Sequence, residues 1–429
     1  MKRLFTMLAS LALCAVLLLC YTSCALTVGA DDLTAGYSRT AADVTLTDDQ
    51  KTAGQAAFND FSFRLLAGAV RDPDSADQRN RMVSPLSAMM CLAMLANGAG
   101  GNTKAQMEAA LGLPVGELNA FLFEYWQTPY DAEDCRVLLA DSIWFRDEAG
   151  RLTVEPAFLQ TVADWYGAQA YAAPFDKTTV KDINNWCAQK TDGMIKEIIQ
   201  KIDADAVMYL INALTFDAKW AKQYEKSDVR DAAFTNADGT TAQVQMLYSH
   251  EDRYLSGDGF EGFARPYKGG RYEFVGLLPA EGADIWDFAA SLDAAAWQAV
   301  WQESQARFDA GDFGVDAGIP EFTFDFEIRL NDVLADMGMT DMFDSGLADF
   351  SPMASSSRGN LYCSLVGQKT RIELDRNGTK AAAITWGGVN DECAMVSTRT
   401  VILNRPFIFA IVDTATHLPL FLGVVSALG

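Results

Sequence analysis

The chain has 429 residues, of which 50% are hydrophobic, and its 25 phenylalanines and 9 tryptophans are ample material for a large core. This composition excludes a disordered chain, which would lack so many aromatic residues. The formal net charge of −23 repels nucleic-acid phosphates and anionic headgroups, so we expect no nucleic-acid partner.

The first 30 residues have the pattern of a signal peptide. A basic start precedes an almost wholly apolar run over residues 4–20, which is short for a membrane span. Two processing routes remain open. One is cleavage after Ala30. The other is a lipobox-like Tyr-Thr-Ser before Cys24, which would carry the lipid, so that a lipid anchor is the only membrane contact we expect.

Beyond the leader, residues 31–49 are polar and are predicted to be a tether, and one folded domain is predicted over residues 50–429. Apolar periodicity predicts helices over residues 53–70, 84–95, 103–111, 156–166, 180–191, 286–308 and 330–337. Strands are predicted over residues 137–145, 207–220, 265–278 (as a pair), 322–328, 364–374, 401–412 and 418–425. Helices first and strands later indicate an α+β fold with large antiparallel sheets.

The sequence has no convincing catalytic or metal-binding pattern. The cysteines beyond the leader are odd in number and never closely spaced, which fits neither a disulfide framework nor a zinc site; Cys91 and Cys187 are predicted to be core residues. The only histidines, His250 and His417, lie beside no nucleophile motif. Cys393 as a thiol nucleophile is the one enzymatic alternative. We therefore expect no cofactor, no metal and no enzymatic activity.

The most informative segment follows Asp375 and lies between two predicted strands. In a strand register that starts at Thr379, one face carries only small uncharged residues: Thr379, Ala381, Ala383, Thr385, Gly387 and Val389. The opposite face carries Lys380, Ala382, Ile384, Trp386, Gly388 and Asn390. The segment is a loop by position, yet it is able to become a central strand. The alternative is a flexible connection rich in alanine and glycine.

This segment resembles the reactive-centre loop of serpins, and further motifs resemble that family in chain order. They are residues 80–88 (NRMVSPLSA), 183–186 (INNW), 191–195 (TDGMI), 210–220 (LINALTFDAKW), 378–383 (GTKAAA), 401–411 (VILNRPFIFAI) and 419–423 (PLFLG). The glutamine at position 368 is similar to bacterial members. The resemblance therefore points to a bacterial-type serpin, secreted or anchored at the outer face of the membrane.

The resemblance implies a fold of three β-sheets and about nine helices with an exposed reactive-centre loop. It also implies a monomeric suicide inhibitor of serine or cysteine proteases, which form an acyl-enzyme at the loop before the cut loop inserts into the main sheet. The alternative is a non-inhibitory serpin that acts as a surface binding protein.

Carried over residue by residue, the hinge of the loop comprises Gly378, Thr379, Ala381, Ala382, Ala383 and Thr385. The region that lets the main sheet open comprises Ser84, Pro85, Ser87, Asn212, Trp220 and Gln368. Counting from both ends of the loop brackets the scissile bond among Glu392, Cys393, Ala394, Met395 and Val396. Arg376 stands where the family usually has glutamate, which predicts a weaker hinge salt bridge.

Overall fold

The computed structural model describes residues 26–40, 43–75, 79–127, 134–148, 150–312, 314–379 and 399–429. These ranges contain nine α-helices: α1 (Asp48–Arg71), α2 (Pro85–Ala96), α3 (Gly101–Leu111), α4 (Val115–Gln127), α5 (Pro156–Trp165), α6 (Lys177–Lys190), α7 (Ile285–Ser291), α8 (Ala294–Asp309) and α9 (Asn331–Asp336). Of the helices in these ranges, none combines the length and hydrophobicity needed to cross a bilayer.

The strands, in chain order, are β1 (Asp31–Asp32), β2 (Asn80–Val83), β3 (Cys135–Arg146), β4 (Leu152–Val154), β5 (Gln169–Ala173), β6 (Met208–Lys219), β7 (Val229–Thr235), β8 (Thr241–Glu251), β9 (Arg253–Gly257), β10 (Phe260–Pro266), β11 (Tyr272–Pro279), β12 (Val315–Pro320), β13 (Phe322–Arg329), β14 (Ala354–Ser356), β15 (Leu365–Asp375), β16 (Gly378–Thr379), β17 (Thr400–Ile402), β18 (Phe407–Asp413) and β19 (Pro419–Val425).

Three main sheets organise these strands. The largest has seven strands in the order β1-β5-β3-β6-β16-β15-β13. A six-stranded sheet runs β2-β19-β18-β11-β10-β9, a four-stranded sheet runs β17-β12-β8-β7, and β4 pairs with β14 as a separate ribbon. The predicted α+β fold with three sheets and about nine helices is confirmed.

Helix α2 joins the two larger sheets and is buried along its whole length. It begins where the sequence predicts, because the Ser84 side chain caps the first turn and Pro85 has no N–H to leave unsatisfied there. The helix contacts β6 of the seven-stranded sheet and β19 of the six-stranded sheet. The apolar start of β6 also behaves as predicted, because the strand is central and buried on both faces.

Two predicted elements are each divided in the structure. The helix predicted over residues 286–308 is two helices, because Leu292 is extended and the Asp293 carboxylate accepts a hydrogen bond from Ala296 N (2.7 Å) to start α8. The strand predicted over residues 401–412 is also two. β17 pairs with β12 in the four-stranded sheet, whereas β18 belongs to the six-stranded sheet. Between them lies Pro406, which has no N–H to donate to a ladder.

The described part of the predicted tether packs against the folded domain. Asp31 and Asp32 pair with β5 at the edge of the seven-stranded sheet, and Leu33 N donates to Ala170 O (2.8 Å). Just before them, Asn185 of α6 donates to Thr27 O (2.8 Å). The polar composition gave no sign of this docking, because a short edge strand uses only backbone groups and fits any side chains.

Candidate functional site

The two central strands of the large sheet meet at their lower end and are separated at their upper end. Over four positions, Leu365 to Gln368 of β15 pair in parallel with Tyr209 to Asn212 of β6. At the top, β16 lies between the same two strands and is antiparallel to both, with Thr379 opposite Ala218 and Leu374. Between these points the described residues of β6 and β15 do not pair with each other.

A single register describes both ends of this gap. If the antiparallel pairing of Thr379 is continued residue by residue, position 388 comes opposite both Tyr209 and Leu365. Tyr209 and Leu365 are already partners in the parallel pairing below. A strand that continues from Thr379 can therefore fill the gap if β6 and β15 move apart sideways, and neither has to slide along its own axis.

The first two hinge residues are packed into the sheet. Thr379 is 2% exposed, and its hydroxyl lies 2.6 Å from the Tyr267 hydroxyl, with which it shares a hydrogen bond. Burial raises the pKa of Tyr267, so its phenol stays neutral. Gly378 approaches β6 so closely that a Cβ there would lie 2.0 Å from Ala218 O. Only glycine fits that position.

Trp220 closes the upper end of the sheet beside this hinge. Its ring stacks on Tyr267 with centroids 4.6 Å apart, and its indole N–H donates to Asp375 O (2.9 Å). The Arg265 guanidinium lies 5.1 Å from the ring centroid and is paired with the buried Glu251 carboxylate. Burial raises the pKa of Glu251, and Arg265 opposes that shift. Trp220 thus links the last turn before the loop to the buried core.

The turn that leads into the hinge is held by its own carboxylate. Asp375 accepts hydrogen bonds from Asn377 N (2.7 Å) and Gly378 N (3.2 Å). Arg376, the departure from the family pattern, lies beside Glu321: its backbone N donates to that carboxylate (3.1 Å) and its Nε lies 3.7 Å away. The arginine therefore has an ion-pair partner of its own at the junction of β12 and β13.

A buried polar cluster lies beneath the positions where β6 and β15 meet. The Gln368 side chain accepts from Ser84 N (2.8 Å) and donates to Ser84 O (2.9 Å). Asn212 donates to Ser87 O (3.0 Å) and to the Asp141 carboxylate on β3. These side-chain bonds tie β15 and β6 separately to the start of α2, so parting the two strands would require them to rearrange.

Asp141 is the only carboxylate in this cluster. Burial raises its pKa to about 7, and the hydrogen bond from Asn212 opposes that shift. Within the described part of the chain, Ser87 Oγ and Asn212 Oδ1 have no hydrogen-bond partner, although both are buried. Unsatisfied groups of this kind would lower the cost of rearranging the cluster, because fewer bonds would be lost if β6 and β15 moved apart.

The structure brings the eight predicted residues that it describes into two adjoining places. Gly378, Thr379 and Trp220 lie at the upper end of the sheet, and Ser84, Pro85, Ser87, Asn212 and Gln368 lie in or beside the polar cluster. The remaining predictions fall outside the described residues: Cys24, Ala381, Ala382, Ala383, Thr385, Glu392, Cys393, Ala394, Met395 and Val396.

Sequence reasoning missed Tyr267, Glu321 and Asp141. Asp141 did leave a signal, since it is a carboxylate in the middle of a predicted strand whose other inward residues are apolar. Tyr267 and Glu321 left none, because they reach the hinge only through the packing of separate elements.

Cys393, the thiol weighed for catalysis, lies outside the described residues, and the described cysteines are core residues. Cys91, Cys135, Cys187 and Cys363 are free and buried, and burial raises the thiol pKa of Cys135 to about 12. His417 stacks on Trp301 at 3.9 Å, and burial lowers its pKa to about 4. Within the described ranges, His, Cys, Asp and Glu side chains form no group suited to a metal ion.

Comparison with known proteins gives one consistent result. The family model described as Serpin (serine protease inhibitor) matches residues 56–428. Serpin-ZXA of Oryza sativa subsp. japonica is 29% identical over 382 residues, which cover 85% of this chain and 94% of that protein. Leukocyte elastase inhibitor A of Mus musculus is 28% identical over 367 residues, which cover 82% and 94%. The crystal structure of the thermophilic serpin tengpin in its native state is 38% identical, covers 93% of this chain and 100% of that chain, and has a TM-score of 0.84.

Proposed function

The chain belongs to the serpin family, and we propose that it inhibits serine proteases, or cysteine proteases, as a suicide substrate. The observation that carries the proposal is the position of Gly378 and Thr379 between β6 and β15, at the top of a gap whose register runs unbroken to the lower pairing. The first two residues of the predicted hinge thus already lie in the sheet that the cut loop would enter.

The covalent step takes place between Glu392 and Val396. The hydroxyl of the protease serine, or the thiol of its cysteine, attacks a carbonyl carbon there and forms an ester or thioester. The C–N bond of the scissile peptide breaks, and the departing amine takes the proton released by the nucleophile. The protease then stays bound to the new C-terminus, which remains joined to the hinge.

The predicted small face of the loop suits the site that it would enter. In the continued register, residue 381 comes opposite Phe216 and Ile372, and residue 383 comes opposite Leu214 and Thr370. Alanine at both positions adds little volume to a packed core. Thr385 comes opposite Asn212 and Gln368, so its hydroxyl would meet the polar cluster around those residues.

Incubation with a panel of proteases tests the function. We expect a covalent complex that survives a denaturing gel, together with a released C-terminal peptide that begins between Cys393 and Val396 by mass spectrometry. A peptide that begins before Asp391 or after Ser397 would contradict the proposed bond. Clean cleavage without any covalent band, by every serine and cysteine protease tested, would favour the surface binding protein.

We further propose that the chain is exported and that Cys24 is the lipidated residue. The docked segment supports this route over cleavage after Ala30. Cleavage there would remove Val28 and Ala30, which pack against the cluster beneath α6, and Thr27, whose carbonyl accepts from Asn185. The substitution Cys24→Ala should shift the protein from the membrane fraction to the medium. An unmodified N-terminus at Asp31 in the wild-type protein would overturn this proposal.

A further inference from the structure

A groove lined by both apolar and charged residues lies on the face of the large sheet that carries α6. It covers the positions where β6 and β15 pair and has a volume of about 560 Å³. Its apolar lining comes from Ile198, Ile199, Tyr209, Ile211 and Leu365. Lys201, Asp203, Glu327, Arg329 and Lys369 form a charged rim.

The roof of the groove is fixed in place. The Asn184 side chain, on α6, donates to Ile199 O (2.8 Å) and accepts from Ile198 N (2.8 Å) and Ile199 N (3.1 Å). On the floor, Gly367 has no side chain, and a Cβ built on it would find its nearest neighbour, Leu365, at 3.8 Å. The roof is therefore held in place by α6, and the floor beneath it contains a glycine that leaves space for a side chain.

The register at the top of the sheet determines which loop residue reaches this space on insertion. Continued from Thr379, it brings position 386 opposite Ile211 and Gly367. Ile211 faces the α6 side of the sheet, in the same cluster as Ile198 and Ile199. The residue at position 386 is a tryptophan, the only aromatic residue in the sequence between Thr379 and Asn404. Two glycines follow it.

We propose that this groove receives the Trp386 side chain when the cleaved loop inserts, which makes Trp386 a positioning residue of the inhibitor. The inference rests on the proposed function. On this face of the incoming strand, Lys380 and Ile384 have the other long side chains, and the indole supplies the largest apolar contact. The contact forms only when the strand has advanced to this depth. It therefore favours complete insertion, whereas the hinge contacts form at the start.

The test compares melting temperatures before and after the loop is cut by a protease that is not trapped. Trp386→Ala should leave the uncut Tm unchanged and lower the Tm gained on cutting by roughly 5 °C. Trp386→Phe should retain most of the gain. Gly367→Val fills the groove from the sheet side and should lower the gain without adding to the effect of Trp386→Ala. Asn390→Ala, beyond the last paired position, is the matched control.

A second readout follows the indole itself. The fluorescence of Trp386 is obtained by subtracting the spectrum of Trp386→Phe from that of wild type. Acrylamide should quench this Trp386 fluorescence less after the loop is cut, because the indole is then buried in the groove. If the wild-type Tm does not rise on cutting, insertion fails and this inference fails with it. If it rises equally in Trp386→Ala, or if quenching is unchanged, the groove assignment is wrong while the inhibitory function stands.

Discussion

If the cut loop enters the sheet as proposed, Thr379 is the residue on which that entry depends most directly. It is buried between Ala218 and Leu374 and bonded to Tyr267. Thr379→Arg would place an unpaired charge there, at a cost of several kcal/mol. The variant should be cut at the same bond yet release active protease, because insertion becomes slower than hydrolysis of the acyl-enzyme. The stoichiometry of inhibition, measured against the trapped protease, should rise sharply.

Lys380→Glu is the control for this experiment. It also changes the charge, but position 380 follows Thr379 in the strand register and therefore faces away from the core. Inhibition should stay nearly intact. Equal loss in both variants would refute the register, and full inhibition by Thr379→Arg would refute insertion as the inhibitory step.

Asp141 gives the sheet a pH-dependent component of stability. Burial raises its pKa to about 7 from an ordinary value of 3.8. The folded chain therefore holds a proton that the unfolded chain loses as the pH passes 3.8. The stability this proton contributes is complete below pH 3.8 and is lost as the pH rises through about 7. At roughly 1.4 kcal/mol per pKa unit, the full effect is a few kcal/mol.

Asp141→Asn should remove this dependence. The variant should be more stable than wild type at pH 8, whereas the two should differ much less at pH 5. Denaturant unfolding at a series of pH values measures the effect. Asp258→Asn, in an exposed turn, is the control and should leave the curve unchanged. If the free energies of unfolding of the two proteins differed by the same amount at every pH, Asp141 would affect stability only through its packing and hydrogen bonds and not through its proton.

At the scale of elements, β1 makes the edge of the large sheet depend on the N-terminal segment. Leu33 and Tyr37 pack against the main core, and Val28 and Ala30 pack against the cluster beneath α6. Removal of residues 26–37 in addition to the first 25 should lower the Tm by roughly 2–5 °C. Amide exchange should become faster in β5. Deletion through residue 25 should change neither measurement, and equal Tm values for the two deletions would contradict the docking.

The same elements show how far sequence alone reaches. Long periodic or capped elements such as α2 and β6 were predictable, because their patterns reflect burial that the chain itself encodes. β1 was not predictable, because its pairing uses backbone groups available to any residue. The division into β17 and β18 was missed because both halves are apolar, although Pro406 lies between them and cannot donate to a ladder. At the site, the positions of the motif residues could be predicted from the sequence. The contact between Thr379 and Tyr267 could not, because it depends on how separate strands pack in the fold.

At the scale of the whole molecule, the uncut chain is an incompletely paired sheet. Its two central strands, β6 and β15, pair with each other in parallel at Leu365–Gln368. At their upper end the two-residue strand Gly378–Thr379 lies between them. Insertion through position 388 would replace that short ladder with antiparallel pairing on both sides of a new strand. At about 0.5–1.5 kcal/mol net for each added hydrogen bond, the gain is on the order of 10 kcal/mol. That gain is comparable to the stability of a whole domain.

Cutting the loop should therefore raise the melting temperature by roughly 10 °C or more, because insertion converts a kinetically trapped fold into a more stable one. The measurement is a thermal scan of uncut and cut wild-type protein, after mass spectrometry has confirmed a single cut between Glu392 and Val396. Thr379→Arg, cut in the same way, is the control and should gain much less. A wild-type curve unchanged by a clean cut would mean that the gap between β6 and β15 does not accept the loop. The cut chain would then have no free energy with which to distort a bound protease, and the binding-protein function would be favoured.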